Sequence, residues 1–152
     1  MRIVVGSDFI GWELKATLME LLRADSRVTG VEDLGVLSRD DKSDYPDIGF
    51  ALARHVAAGK ADRGLLICGT GIGMAISANK VPGIRAATTH DPYSLERAIL
   101  SNNCQIICMG ARVVTAELAK TLIAPWLAYT FDATGPSSSK VEKINALERE
   151  GL

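Results

Sequence analysis

Three short, continuous apolar runs constrain this chain most: Arg2-Ile3-Val4-Val5, Gly64-Leu65-Leu66-Ile67-Cys68 and Gln105-Ile106-Ile107-Cys108-Met109, each followed by small or turn-forming residues. A strand with no polar alternation must bury both faces, which is the condition of a parallel sheet covered on two sides. Two weaker runs, Val31-Glu32-Asp33-Leu34 and Ile84-Arg85-Ala86-Ala87-Thr88, fit the same role. Helix-period stretches separate them at Trp12 to Leu22, Ile48 to Ala58, Gly73 to Asn79, Pro92 to Leu100 and Thr115 to Tyr129, with Asp91-Pro92 as an N-cap and N1 pair. The alternation predicts an α/β fold: a doubly wound, Rossmann-like, five-stranded parallel sheet with right-handed crossovers.

With 152 residues the chain matches one domain spanning 1-152. Asp132 to Ser139 is a polar breaker, after which Lys140 to Glu150 resumes a helical pattern with Val141, Ile144 and Leu147 on one face. Residues 132-152 therefore form a C-terminal helical arm, which docks on its own domain or on a second subunit.

A net charge of -1, without long runs of like charge, gives no basic stripe for a nucleic-acid partner. No apolar stretch approaches the ~20 residues of a membrane span, and Met1-Arg2 leads into a strand rather than a signal peptide. The expected protein is soluble and cytoplasmic, with no membrane partner. Its cysteines, Cys68, Cys104 and Cys108, are odd in number and lie in or beside apolar runs, which suits a reducing compartment rather than a disulfide framework. No Cys or His pair completes a zinc set with Cys104 and Cys108, so no metal site is expected.

In such a sheet, ligand loops gather at the carboxyl ends of the strands, here beginning at Gly6, Gly35, Cys68, Thr88 and Gly110. The informative one is Cys68-Gly69-Thr70-Gly71-Ile72-Gly73-Met74. Its glycines let backbone amides turn toward a ligand, and the following helix adds a positive partial charge, so it reads as an anion cradle. Glycines at this spacing also serve plain strand-to-helix turns. Cys68 has two readings, a small buried hydrophobe closing its strand or a thiol placed as base or nucleophile. Cys104 and Cys108 lack such a loop and read as core. The loop has neither the lysine and hydroxyl of a P-loop nor the third glycine and later acid of a dinucleotide fingerprint, so neither ATP nor NAD is expected, nor any other cofactor. His55 reads as a surface or packing residue on a helix, whereas His90 falls in the ligand-facing loop set.

These motifs resemble the ribose-5-phosphate isomerase B and galactose-6-phosphate isomerase family. The correspondence runs in order through Ile3 to Asp8, Ser43 to Asp47, Cys68 to Gly73, Ala78 to Lys80, Gly83 to Ala86, Pro92 to Ser94, and Asn102 to Arg112. It implies an aldose-ketose isomerase working through an enediolate. Cys68 would be the base and Thr70 its assistant, with the amides from Gly69 through Thr70, Gly71 and Ile72 to Gly73 facing the enediolate oxygens. The resemblance also puts Asp8, Tyr45, Asn102 and Arg112 at substrate-contacting positions, in a homodimer or homotetramer with shared active sites.

Three departures matter. Phe9 and Ser101 stand where the family commonly has histidines, and the two phosphate-binding arginines of its arm correspond to Pro136 and Lys140. The histidine matching Ser101 opens the sugar ring in the family, and a serine hydroxyl cannot titrate in that role. Either another group, such as His90, opens the ring, or the substrate has none. A tetrose 4-phosphate has its ring-closing oxygen esterified and is always open. The stretch Ala98 to Arg112 also resembles the family's tetrulose-phosphate branch of erythritol catabolism. The expected substrate pair is D-erythrulose 4-phosphate and D-erythrose 4-phosphate. The alternatives are ribose 5-phosphate isomerisation and, in another class, a non-enzymatic sugar-phosphate-binding module.

Overall fold

A computed structural model describes residues 1–151. The chain runs β1 (Arg2–Ser7), α1 (Trp12–Ala24), β2 (Gly30–Asp33), α2 (Tyr45–Ala57), β3 (Arg63–Cys68), α3 (Ile72–Ala78), β4 (Ala86–Thr88), α4 (Pro92–Leu100), β5 (Ile106–Gly110), α5 (Ala116–Ala128) and α6 (Ser138–Arg149). The five strands pair in parallel in the order β2-β1-β3-β5-β4, the doubly wound sheet expected of alternating strands and helices.

Both faces of the central strands are covered, which is why those segments read as unbroken apolar runs. Ile3, Val5, Leu65, Ile67, Ile107 and Met109 pack with Leu18 of α1, Leu95 of α4 and Trp126 of α5. On the other face Val4, Leu66, Cys68, Ile106 and Cys108 pack with Leu52 of α2 and Met74 of α3. Leu65 and Leu66, adjacent in β3, are both 0% exposed on opposite faces. Burying each stabilises the fold by roughly 1.5–3 kcal/mol.

Some boundaries differ from the sequence pattern. Helix α2 begins at Tyr45 rather than Ile48, because Pro46 occupies its first turn, where a missing N–H costs nothing. Strand β4 is three residues long. The amide of Arg85, expected to pair within it, instead donates to the Gln105 side chain at 2.9 Å. Helix α6 takes in Ser138 and Ser139 from the expected breaker. Its Val141 is buried, while Ile144 and Leu147, on the same expected face, stay exposed. Its remaining ties are Arg85 Nη1 donating to Asn145 Oδ1 at 2.9 Å and the Gly83 amide donating to Glu148 at 2.8 Å.

One buried cation shapes the loop after β2. Lys15 of α1 is 2% exposed. Its ammonium donates to both carboxylate oxygens of Asp33, at 2.7 and 2.8 Å, and to the Val36 carbonyl at 2.6 Å. Pairing and hydrogen bonding offset the cost of burying the charge.

Candidate active site

The chain leaves β1 for β2 on one side and returns to β3 on the other, so the sheet's switch point lies between the carboxyl ends of β1 and β3. Ser7 pairs with Ile67, and the next residues along the two strands are Asp8 and Cys68. Asp8 is buried, and its Oδ1 accepts from the amides of Ile10 at 3.0 Å and Gly11 at 3.1 Å, which turns the chain into α1. A Cβ on Gly11 would stand 2.7 Å from the Ile67 carbonyl oxygen, so only glycine fits this crossing.

Across the switch point the Cys68 thiol is 5% exposed, and its Sγ accepts from the Gly71 amide at 3.1 Å. Gly71 holds φ at 77°, the left-handed region that lets the chain reverse into α3. The loop's carbonyls are tied from outside. Cys68 O accepts from Ala111 N at 2.8 Å, Gly69 O from Arg112 N at 3.1 Å, and Gly71 O from the Thr88 hydroxyl at 3.2 Å. The amides of Gly69, Thr70 and Gly73 take no partner among the described residues, while Ile72 N donates to Thr70 Oγ1 at 3.3 Å. The result is a fixed turn with free donors beside a thiol.

Neighbouring elements wall this turn. The Tyr45 ring lies over Gly73, where a Cβ would come within 2.5 Å of it. Gly110 at the end of β5 lies against Thr70, whose Cα would be 2.7 Å from any added Cβ. His90 Nε2 accepts from the Gly110 amide at 2.9 Å, so the imidazole carries its proton on Nδ1 when neutral. Burial lowers the His90 pKa against the opposing pull of Asp91, which favours that neutral form. Phe9 is exposed, as is Arg112. The latter's Cδ lies close to Gly69, 3.8 Å from where a Cβ would be.

The remaining cysteines sit in the core. Burial pushes the Cys104 thiol up to about 11, against a small opposing effect of Arg85. Burial likewise holds Cys108 far above the ordinary thiol range. His55, in the last turn of α2, lies 3.0 Å from Glu32, at the other end of that helix from Tyr45. Among the described residues no group of three His, Cys, Asp or Glu side chains is arranged to hold a metal ion, and no helix is long and apolar enough to cross a membrane.

Asp8, Phe9, Tyr45, Cys68, Gly69, Thr70, Gly71, Ile72, Gly73, His90 and Arg112 thus share the carboxyl edge of the sheet. Ser101 and Asn102 do not, and no contact among the described residues brings Lys140 there. Helix α4 starts at that edge with Pro92 and runs back for nine residues, about 13 Å, so Ser101 as its C-cap lies toward the opposite edge. There Ser101 accepts from Arg97 at 3.1 Å, and the Asn102 carbonyl accepts from Arg85, the residue before β4. Lys140 is exposed in the first turn of α6. Sequence reasoning marked Thr88 and Gly110 only as loop starts, not as residues that shape the turn, and passed over Gly11 and the basic residues Arg39 and Lys42, which line a pocket with Phe9 and Arg112.

Residues 3–144 match the family model described as Ribose/Galactose Isomerase. The chain belongs to the ribose/galactose isomerase family. Within it, this chain is 53% identical over 148 residues to D-erythrulose-4-phosphate isomerase 2 of Mycolicibacterium smegmatis, covering 97% of each. It is 45% identical to the D-erythrulose-4-phosphate isomerase of Pectobacterium atrosepticum, covering 99% of this chain and 97% of that one. The ribose-5-phosphate isomerase B structure from Clostridium thermocellum superposes with a TM-score of 0.93 at 38% identity, covering all of both chains. The superposition extends over the whole five-stranded parallel sheet and its helices.

Proposed function

We propose that this chain is a cofactor-independent aldose-ketose isomerase interconverting D-erythrulose 4-phosphate and D-erythrose 4-phosphate. The observation that carries the reading is a buried thiol beside unpartnered amides in a turn held rigid from three strands. Cys68 as thiolate takes the proton from the carbon next to the substrate carbonyl. The electron pair moves into the carbon-carbon bond, giving an enediolate whose oxygens face the amides of Gly69, Thr70 and Gly73. Thr70 passes the hydroxyl proton between the two oxygens, and Cys68 returns its proton to the neighbouring carbon. Amides fixed before the reaction are suited to this charge, since losing one such donor costs roughly 10²- to 10³-fold in rate.

The substrate assignment is supported by the names of the Mycolicibacterium smegmatis and Pectobacterium atrosepticum relatives described above and by Ser101, which cannot open a sugar ring. His90 is a poor substitute for that task, because its Nε2 already accepts the Gly110 amide. We place the enzyme in the cytoplasm, which suits three free cysteines, and in erythritol catabolism.

The position of Ser101 and Asn102 at the other edge supports a homodimer, or a homotetramer, in which these residues and Lys140 complete the partner's site. A C₂ arrangement lets one edge of each chain meet the opposite edge of its partner.

Incubating the purified protein with tetrulose and pentulose phosphates in D₂O tests the whole reading. Preferred turnover of the tetrulose phosphate with deuterium entering at carbon is expected. Binding with no exchange would make the protein a binding module, and a preference for the pentose would overturn the substrate.

A further inference from the structure

The carboxyl edge carries a pocket that the chemistry above leaves unused. Phe9, Ile10, Arg39, Asp40, Lys42 and Arg112 enclose about 390 Å³. It adjoins the Cys68 turn through Gly69, where a Cβ would lie 3.6 Å from Ile10 and 3.8 Å from Arg112. Three cations and one carboxylate line it. Arg39 is engaged by Glu13 at 2.7 Å, whereas Lys42 and Arg112 form no ion pair among the described residues.

Lys42 is also held in place. Its ammonium donates to the Arg39 carbonyl at 2.8 Å and lies 4.4 Å from the centre of the Phe9 ring. A cation over an aromatic face is attracted by the ring's negative surface, so Phe9 restrains a side chain that would otherwise sample many rotamers. An ammonium and a guanidinium that form no ion pair among the described residues, in one pocket next to the thiol's loop that Asp40 also lines, are arranged to receive a dianion.

We propose that Lys42, positioned by Phe9 and acting with Arg112, binds the substrate's phosphate group. The assignment rests on the reading that the substrate is a sugar phosphate. It gives Phe9 a specific task, as the platform for a cation supplied by the loop after β2. The phosphate takes no part in the bond changes, and a contact to it that is equal in ground and transition states appears in KM rather than kcat, the outcome expected here.

The test pairs kinetics with a measurement that needs no turnover. Lys42→Met keeps the stem on Phe9 and removes the charge, and should raise KM for D-erythrulose 4-phosphate about 10- to 100-fold with kcat little changed. Lys42→Arg should recover most of the loss, Phe9→Leu should cause a smaller rise in KM, and Lys60→Met, at the other edge, should match wild type. Calorimetric titration of the full chain with inorganic phosphate should show weaker binding in Lys42→Met. A fall in kcat at unchanged KM, or an unchanged phosphate affinity, overturns the assignment. If the wild type turns over no sugar phosphate, the proposed function fails, and the phosphate titration alone decides this site.

Discussion

Replacing Gly110 by alanine should disable the enzyme without unfolding it. The new Cβ would stand 2.7 Å from Thr70 Cα and from the Thr70 carbonyl carbon. Ordinary contact begins near 3.4 Å, so the two backbones must separate by about 3.4 − 2.7 = 0.7 Å. Both are backbone atoms, and no side chain can swing aside to absorb the difference. Overpacking of this kind costs about 1–3 kcal/mol of stability, a fraction of what a domain of this size holds. Catalysis should suffer more, since misplacing reacting groups by about 1 Å can cost 10²-fold. The shift moves the amides of Gly69, Thr70 and Gly73 together and pulls the Gly110 amide from His90. Steady-state kinetics on D-erythrulose 4-phosphate should show kcat down about 10²-fold with the fold retained by circular dichroism. Gly30→Ala, whose Cβ would meet nothing within 4 Å, is the matched control. A Gly110→Ala enzyme within threefold of wild-type kcat would refute the claim that the turn must be held in this position.

Cys68→Ala should lower kcat by about 10²- to 10⁴-fold, the worth of a positioned base, while Cys104→Ala keeps activity; near-normal turnover of the first would remove Cys68 from the mechanism. Mixing Cys68→Ala with Asn102→Ala after joint refolding should restore about a quarter of wild-type activity, because half the dimers are mixed and each rebuilds one of two sites; no recovery would argue against sites shared between chains. His90 has its pKa lowered below the usual 6.5 by burial, so its stabilising contribution is present above that value and is lost as pH falls through the lowered one. Denaturant midpoints should therefore drop more between pH 7 and about pH 5 in wild type than in His90→Asn, and equal drops would contradict the neutral imidazole bound to Gly110.

The sheet was legible because β1, β3 and β5 lie between two helical layers and leave no polar alternation to confuse the pattern. The turn was legible too, since a strand ending in Cys68 and followed by three glycines marks a sharp strand-to-helix connection, which forms between β3 and α3. Which edge a residue occupies was harder. Ser101 and Asn102 follow His90 by little more than one helix, yet α4 carries them toward the opposite edge. A motif read along the chain records order and spacing, not which edge of the sheet each part will reach. Lys42 was invisible for a different reason. It sits in the polar run Arg39-Asp40-Asp41-Lys42 with no periodicity, and acquires meaning only when folding brings Phe9 and Arg112 to it.

The buried ammonium of Lys15 has a consequence for how such enzymes can diverge. By gripping Asp33 and the Val36 carbonyl from beneath, it fixes the root of the loop independently of what lies at the tip. Residues 37 to 42 can then change length, charge or ring content without disturbing the sheet or the thiol. Lineages could exchange one sugar phosphate for another by rewriting this short stretch, while the frame that performs the proton transfer stays as it is.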